Sequence, residues 1–230
     1  MNRTIRLFML GDSTMQFNDC TTYPQTGWGQ VAGLFFSRKV AIFNYAKNGR
    51  STKSFIDEKR LAEVEPLLRK GDYVIIQFGH NDEKEDEARR TEPFSTYKEN
   101  LAQFVSVAKK AGAYPILLSS ISRRSFDERG KIKDTHGDYP RAMKAFAQDN
   151  GLPFVDMNAL TTDFLNNLGE TKSRDLFMNF DSGIYDNYPE GKTDNTHLRY
   201  QGAFEIARIA LTEIKKLSGN YEPLAKEILL

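Results

Sequence analysis

Five short apolar runs separated by helical patterns constrain this chain more than any other feature. The runs occupy residues 4–10, 40–46, 73–78, 114–119 and 153–157. The central ones are almost continuously apolar, as strands buried on both faces must be. Helical patterns lie between and after them, at 29–36, 56–68, 93–111, 139–150 and 201–217. The clearest is 93–111: Phe94, Tyr97, Leu101, Phe104, Val105 and Ala108 recur at helical spacing, Lys109 and Lys110 sit in the last turn, and Gly112 follows as a stop. Strands alternating with helices predict an α/β fold, a parallel sheet with helices on both faces. Ligands bind such sheets at the carboxyl ends of the strands.

The 230 residues fit one domain, 1–230, and 40% hydrophobic content is enough for a substantial core. A formal net charge of +1 gives no global field toward nucleic acid or a membrane surface. One cysteine, Cys20, excludes an intrachain disulfide. The chain opens Met1-Asn2-Arg3-Thr4 and enters a run, 5–10, that contains Arg6 and is too short for a signal-peptide core. No stretch has the length of a membrane span. The expectation is a cytoplasmic monomer, or a secreted one if a leader has been removed.

Four motifs carry chemistry, and three directly follow apolar runs. They are Gly11-Asp12-Ser13, Asn48-Gly49, Gly79-His80-Asn81-Asp82, and Asp194-Asn195-Thr196-His197 before the last helical pattern. A serine hydroxyl needs a base within hydrogen-bond reach to become a nucleophile. Asp194, three residues before His197, can reach the imidazole Nδ1 in a turn leading into a helix, leaving Nε2 to face Ser13. The Asn81 amide and the backbone amides of Gly49 and Ser13 can donate to an oxyanion. Each motif alone has a plainer reading. Ser13 and Asp194 are good helix caps, and Asn48-Gly49 and Asn81-Asp82 are ordinary turn sequences. The joint pattern, a nucleophile, base, orienter and oxyanion donors at one rim, points to acyl transfer.

The polar stretches 122–138 and 179–195 read as long binding loops at that rim. Arg50, Arg123, Arg124 and Arg199 are candidates to pair with substrate carboxylates, with surface solubility as the alternative. His80 orders the Asn81 loop or touches substrate, and His136 is a loop residue or a substrate contact. No second histidine at ligand spacing and no cysteine cluster supports a metal site. Trp28, Tyr185, Tyr188 and Tyr200 are candidates to stack on sugar rings, with packing as the default.

The four blocks resemble those of the SGNH, or GDSL, hydrolase superfamily. More narrowly they resemble the rhamnogalacturonan acetylesterases of carbohydrate esterase family 12, through Gly11-Asp12-Ser13-Thr14, Gly49-Arg50-Ser51 followed by Phe55, Gln77-Phe78-Gly79-His80-Asn81-Asp82, and Gly137-Asp138-Tyr139-Pro140. The resemblance implies a flavodoxin-like, three-layer αβα sandwich with a five-stranded parallel sheet in the order 2-1-3-4-5, and no metal or cofactor. It implies Ser13 as nucleophile, Asp194 and His197 as the rest of the triad, and an oxyanion hole of Ser13, Gly49 and Asn81. Lys47-Asn48 departs from the small residue or glycine common before Gly49. The expected activity is hydrolysis of O-acetyl esters on oligo- or polysaccharide, above all acetylated rhamnogalacturonan. The rivals are another acyl ester or acetylated xylo-oligosaccharide as substrate, a non-catalytic sugar-binding module and, from fold alone, a flavin binder.

Overall fold

The computed structural model describes residues 4–230; of the opening tetrapeptide, Met1, Asn2 and Arg3 lie outside the described residues. Five parallel strands form the sheet: β1 (Ile5–Gly11), β2 (Val40–Asn44), β3 (Tyr73–Gln77), β4 (Tyr114–Leu118) and β5 (Phe154–Val155), in the order β2-β1-β3-β4-β5. Each coincides with one of the five apolar runs.

The two-residue period of a strand divides the core into two layers. Leu7, Met9, Ile75, Ile116 and Leu118 face one side, and Phe8, Leu10, Val74, Ile76 and Leu117 face the other. The first side is covered by α1 (Trp28–Val31) and later by α6 (Met157–Ser173) and α7 (Tyr200–Ile214). The second is covered by α2 (Thr52–Asp57), α3 (Arg60–Val64), α4 (Thr96–Lys110) and α5 (Tyr139–Asp149). A short α8 (Glu222–Ala225) closes the described chain, packing Leu224 on the α7 side. On α4 the buried Tyr97, Leu101, Phe104, Val105 and Ala108 form a single stripe.

Several elements differ from the sequence pattern. Phe94 is 55% exposed and precedes α4, which starts at Thr96. The 56–68 pattern is two helices, because Lys59 adopts a left-handed φ of 61° between α2 and α3. The long α6 has only a weak apolar stripe, which the sequence pattern does not mark as a helix, and it kinks at Gly169, φ 80°. The segment 179–195 is no simple loop. Strands β6 (Phe177–Phe180) and β7 (Lys192–Leu198) pair antiparallel as a separate two-stranded sheet.

Candidate active site

β1 ends at Gly11, and the chain then makes one helical turn, with the amides of Met15 and Gln16 bonding to the Asp12 carbonyl at 3.2 and 3.1 Å. Asp12 shapes this turn from within: its Oδ1 accepts the Thr14 amide and hydroxyl, both at 2.9 Å. Burial raises the Asp12 carboxyl above its ordinary pKa, against those hydrogen bonds. No long helix follows Ser13, so it is not a helix cap. Its amide lies in the first turn, where helical geometry leaves N–H groups without an internal partner. Trp28 anchors the loop, its amide bonding to the Thr14 carbonyl at 2.8 Å and its indole Nε1 to Gln77 Oε1 at 2.7 Å. It is wholly buried and offers no face to a sugar.

Asp194 and His197 lie on β7, not in a turn entering a helix. Phe177 pairs with Leu198 but Met178 pairs with Asp194, so residues 195–197 bulge out of the ladder. The bulge folds His197 back onto Asp194. Asp194 Oδ2 meets His197 Nδ1 at 2.7 Å, and Oδ1 accepts the amides of Thr196 and His197 at 2.9 and 3.0 Å. His197 Nε2 lies 2.9 Å from Ser13 Oγ. With the Nδ1 proton on the carboxylate side, Nε2 is the acceptor that faces the hydroxyl. Burial would raise the Asp194 carboxyl, but the hydrogen bond and charge of His197 and the two amides outweigh it and hold the group well below the usual carboxylate range. Asp194 caps no helix, since α7 has Arg199 as its N-cap residue.

Asn179 and Arg124 hold the bulge from behind, roles that residue type alone does not mark. Asn179 Oδ1 accepts the Asp194 amide at 3.1 Å while its Nδ2 donates to the Asp194 carbonyl at 3.2 Å and to Asn195 Oδ1 at 3.0 Å. The Arg124 amide donates to the Asn195 carbonyl at 2.8 Å and its guanidinium to Asn195 Oδ1 at 3.1 Å. The Thr26 amide donates to the Leu198 carbonyl at 2.8 Å, joining the segment that follows Ser13 to β7.

The loops that carry the proposed donors share a scaffold. Residues 47–50 form a turn, Arg50 N to Lys47 O at 3.3 Å, with Gly49 at a φ of 77° that favours glycine. The Lys47 amide donates to the Gly11 carbonyl at 2.9 Å, fixing this turn against the start of the Ser13 loop. Asn81 Nδ2 donates to the Arg50 carbonyl at 3.1 Å. The wholly buried Asp82 then locks the two loops together, its carboxylate accepting the Thr52 amide (3.0 Å to Oδ1) and the Thr52 and Thr91 hydroxyls. Burial pushes the Asp82 carboxyl up to about 7, against the lowering effect of those donors.

The remaining candidates are largely engaged within the protein. His136 has a side chain of 0% exposure, with Nδ1 2.8 Å from Glu83 Oε2 and Nε2 2.9 Å from the Ile121 carbonyl. Arg123 pairs with Glu83 and donates to the carbonyls of Thr135 and His80. Arg199 donates to the Phe177 carbonyl at 3.0 Å and pairs with Asp175 at 2.7 Å. Arg50 pairs with Glu58 at 2.9 Å and donates to the Asn48 carbonyl at 2.7 Å. His80 is buried edge-on to His136, and burial, with the nearby charges of His136 and Arg123, lowers its pKa well below the ordinary value. Tyr185 and Tyr188 pack against Phe180, whereas Tyr200 is exposed. Among the described residues no three His, Cys, Asp or Glu side chains gather to hold a metal, and no helix is long and apolar enough to cross a membrane.

The family model described as GDSL-like lipase/acylhydrolase matches residues 7–209. The chain is 42% identical over 219 residues to the rhamnogalacturonan acetylesterase RhgT of Bacillus subtilis, covering 94% of this chain and 92% of that protein. It is 33% identical to the probable rhamnogalacturonan acetylesterase YesY of the same organism, covering 92% and 93% of the two chains. The crystal structure of Bacillus subtilis YxiM superposes with a TM-score of 0.74 at 24% identity, over 94% of this chain and 57% of that one. That last likeness concerns the fold alone.

Proposed function

Because the chain belongs to the GDSL-like lipase/acylhydrolase family, we propose that it is a serine esterase that removes O-acetyl groups from carbohydrate, with acetylated rhamnogalacturonan fragments as its substrate. The single observation that carries the reading is the hydrogen-bonded chain Asp194–His197–Ser13, 2.7 Å and then 2.9 Å. Relatives named rhamnogalacturonan acetylesterases support the substrate class.

His197 Nε2 takes the Ser13 proton as Oγ attacks the ester carbonyl. Asp194 keeps the Nδ1 proton in place and stabilises the imidazolium that forms. The amides of Ser13 and Gly49 and the side chain of Asn81 stabilise the tetrahedral oxyanion. Protonated His197 hands its proton to the sugar oxygen, and the sugar leaves as its alcohol. Water, deprotonated by His197, then attacks the acetyl-Ser13 ester, and acetate departs as Ser13 regains its proton.

The test is acetate release from acetylated rhamnogalacturonan and acetylated xylo-oligosaccharides by the wild type and by Ser13→Ala. The wild type releases acetate, faster from the pectic substrate, and the variant releases almost none. Undiminished release by Ser13→Ala refutes the nucleophile. A preference for octanoate over acetate esters refutes the deacetylase assignment.

A further inference from the structure

Loop residues 17–26, the end of α1 with the following Leu34, and the first residue of α7 line a groove of about 890 Å³, within the range of small-molecule sites, about 300–1000 Å³. Four of its lining side chains are large, apolar and open to solvent: Phe17 (63% exposed), Tyr23 (60%), Leu34 (60%) and Tyr200 (54%). Such clustering on a soluble surface marks a place where something docks. Three amide side chains, Asn18, Gln25 and Gln30, share the lining.

The floor runs into the catalytic scaffold. Asn18 Oδ1 accepts Asn48 Nδ2 at 3.3 Å, and Asn48 immediately precedes Gly49. On the other flank, Tyr200 opens α7 three residues after His197. The Asn18 carboxamide oxygen also takes Gln25 Nε2 at 3.5 Å and Gln16 Nε2 at 3.4 Å. The Gln25 bond is long, so that amide can turn to a sugar hydroxyl at little cost, whereas Gln30 is held on the Asn18 backbone, accepting its amide at 3.0 Å and donating to its carbonyl at 3.2 Å.

Charge selects the occupant. The lining holds one acid, Asp19, and no Lys, Arg or His. Asp19 Oδ1 accepts the amide and hydroxyl of Thr21. A uronate ring here would meet the Asp19 carboxylate and no cation of the lining; Lys47, whose charge lowers the Asp19 carboxyl, stands outside it. An uncharged ring would place its C–H face on an aromatic side chain and its hydroxyls on the amides.

We propose that this groove is a subsite for an uncharged sugar residue of the substrate chain, adjacent to the residue that carries the acetyl group. The inference rests on the carbohydrate-esterase reading above and names where the glycan lies. It also gives the exposed Phe17 and Tyr200 a role in recognition, and it excludes contiguous uronates from this side of the cleft.

The test is calorimetric binding of three unacetylated probes to the intact protein: a rhamnogalacturonan tetrasaccharide, xylotetraose and tetragalacturonate. At least one of the first two binds, and Phe17→Ala with Tyr200→Ala weakens it by about 5- to 100-fold, as two lost aromatic contacts predict. Tetragalacturonate binds more weakly, and the substitutions leave it unchanged. Both positions are exposed, and melting curves establish that the variants fold. Binding of every probe indifferent to the two substitutions overturns the subsite. So does tighter binding of tetragalacturonate, or a self-association in light scattering that the same substitutions abolish. Hydrolysis of an aryl acetate by the wild type is scored separately. Its absence would sink the esterase reading while leaving the sugar-binding result to stand or fall by itself.

Discussion

Replacing Asn81 with alanine separates a catalytic amide from a structural one. The side chain is only 7% exposed, donates to the Arg50 carbonyl at 3.1 Å, and accepts a long contact from Arg89 at 3.4 Å. Its structural loss is therefore one good hydrogen bond, about 0.5–1.5 kcal/mol of stability. For a chain of this length that lowers Tm by about 1–6 °C. If the same amide also donates to the oxyanion, kcat falls by a further factor of about 10²–10³, equivalent to about 2.7–4 kcal/mol of transition-state stabilisation. An interaction made only in the transition state leaves KM unchanged. Steady-state hydrolysis of 4-nitrophenyl acetate, well below the variant's Tm, measures both constants. A kcat within about threefold of wild type alongside a lowered Tm would refute the reasoning, since the transition-state term is expected to be far larger. Asn81 would then be a brace between two loops and nothing more.

Asp194→Asn should lower kcat by about 10⁴-fold through the wrong His197 tautomer, with the fold retained; a loss under tenfold, measured on the same substrate, would remove Asp194 from the mechanism. Asp82 makes stability pH-dependent. Its folded pKa of about 7 lies above the ordinary 3.8, so between those values the folded chain keeps a proton the unfolded chain has lost. This group's contribution therefore declines as pH rises, by at most about 1.4 kcal/mol per unit. Asp82→Asn mimics the protonated acid and lacks that slope, so the signed Tm difference, wild type minus variant, should fall between pH 5 and 7.5; a rise contradicts the assignment. Gly27→Ala would set a Cβ 2.2 Å from the Gln16 carbonyl oxygen and should destabilise by at least about 1–3 kcal/mol. Gly49→Ala meets no atom within 4 Å and should cost only the left-handed φ, about 1–2 kcal/mol. Denaturant titration ranks the two, and the reverse order would contradict both accounts.

The strands were legible because their demands are local. A strand buried on both faces must be apolar almost throughout, and 73–77 (Tyr-Val-Ile-Ile-Gln) is apolar in its first four residues, all five being buried and Gln77 satisfied by Trp28 and the Ser119 carbonyl. The stripe on α4 was legible for the same reason. The start of α4 was not, because Phe94 fits the helical period but lies outside the helix and in solvent. The weak stripe of α6 hides a helix, broken at Gly169, whose place depends on its neighbours. The hairpin of β6 and β7 was hidden too, because 192–198 (Lys-Thr-Asp-Asn-Thr-His-Leu) is polar and only half-buried, with no alternation to mark a strand.

The site divides in the same way. Ser13, Gly49, Asn81, Asp194 and His197 were named from residue type and position, since chemistry needs those groups and the sheet places loops where strands end. The holding roles of Asn179, Arg124, Trp28 and Asp82 carry no sequence signal, because a side chain that braces a loop looks in sequence like any other. Arg123, Arg199 and His136 looked free in the sequence, yet inside the fold their polar atoms already meet Glu83, Asp175 and backbone carbonyls.

By itself, then, the order of residues determined the alternating architecture and the set of reactive groups, because hydrophobic periodicity and functional-group chemistry are properties of short segments. Only tertiary structure decided that Ser13 and His197, separated by 184 positions, meet at 2.9 Å, and which polar groups remain free to meet a ligand. Both are outcomes of long-range packing, in which a bulge in one polar hairpin and a few buried hydrogen bonds fix distances that no local pattern encodes.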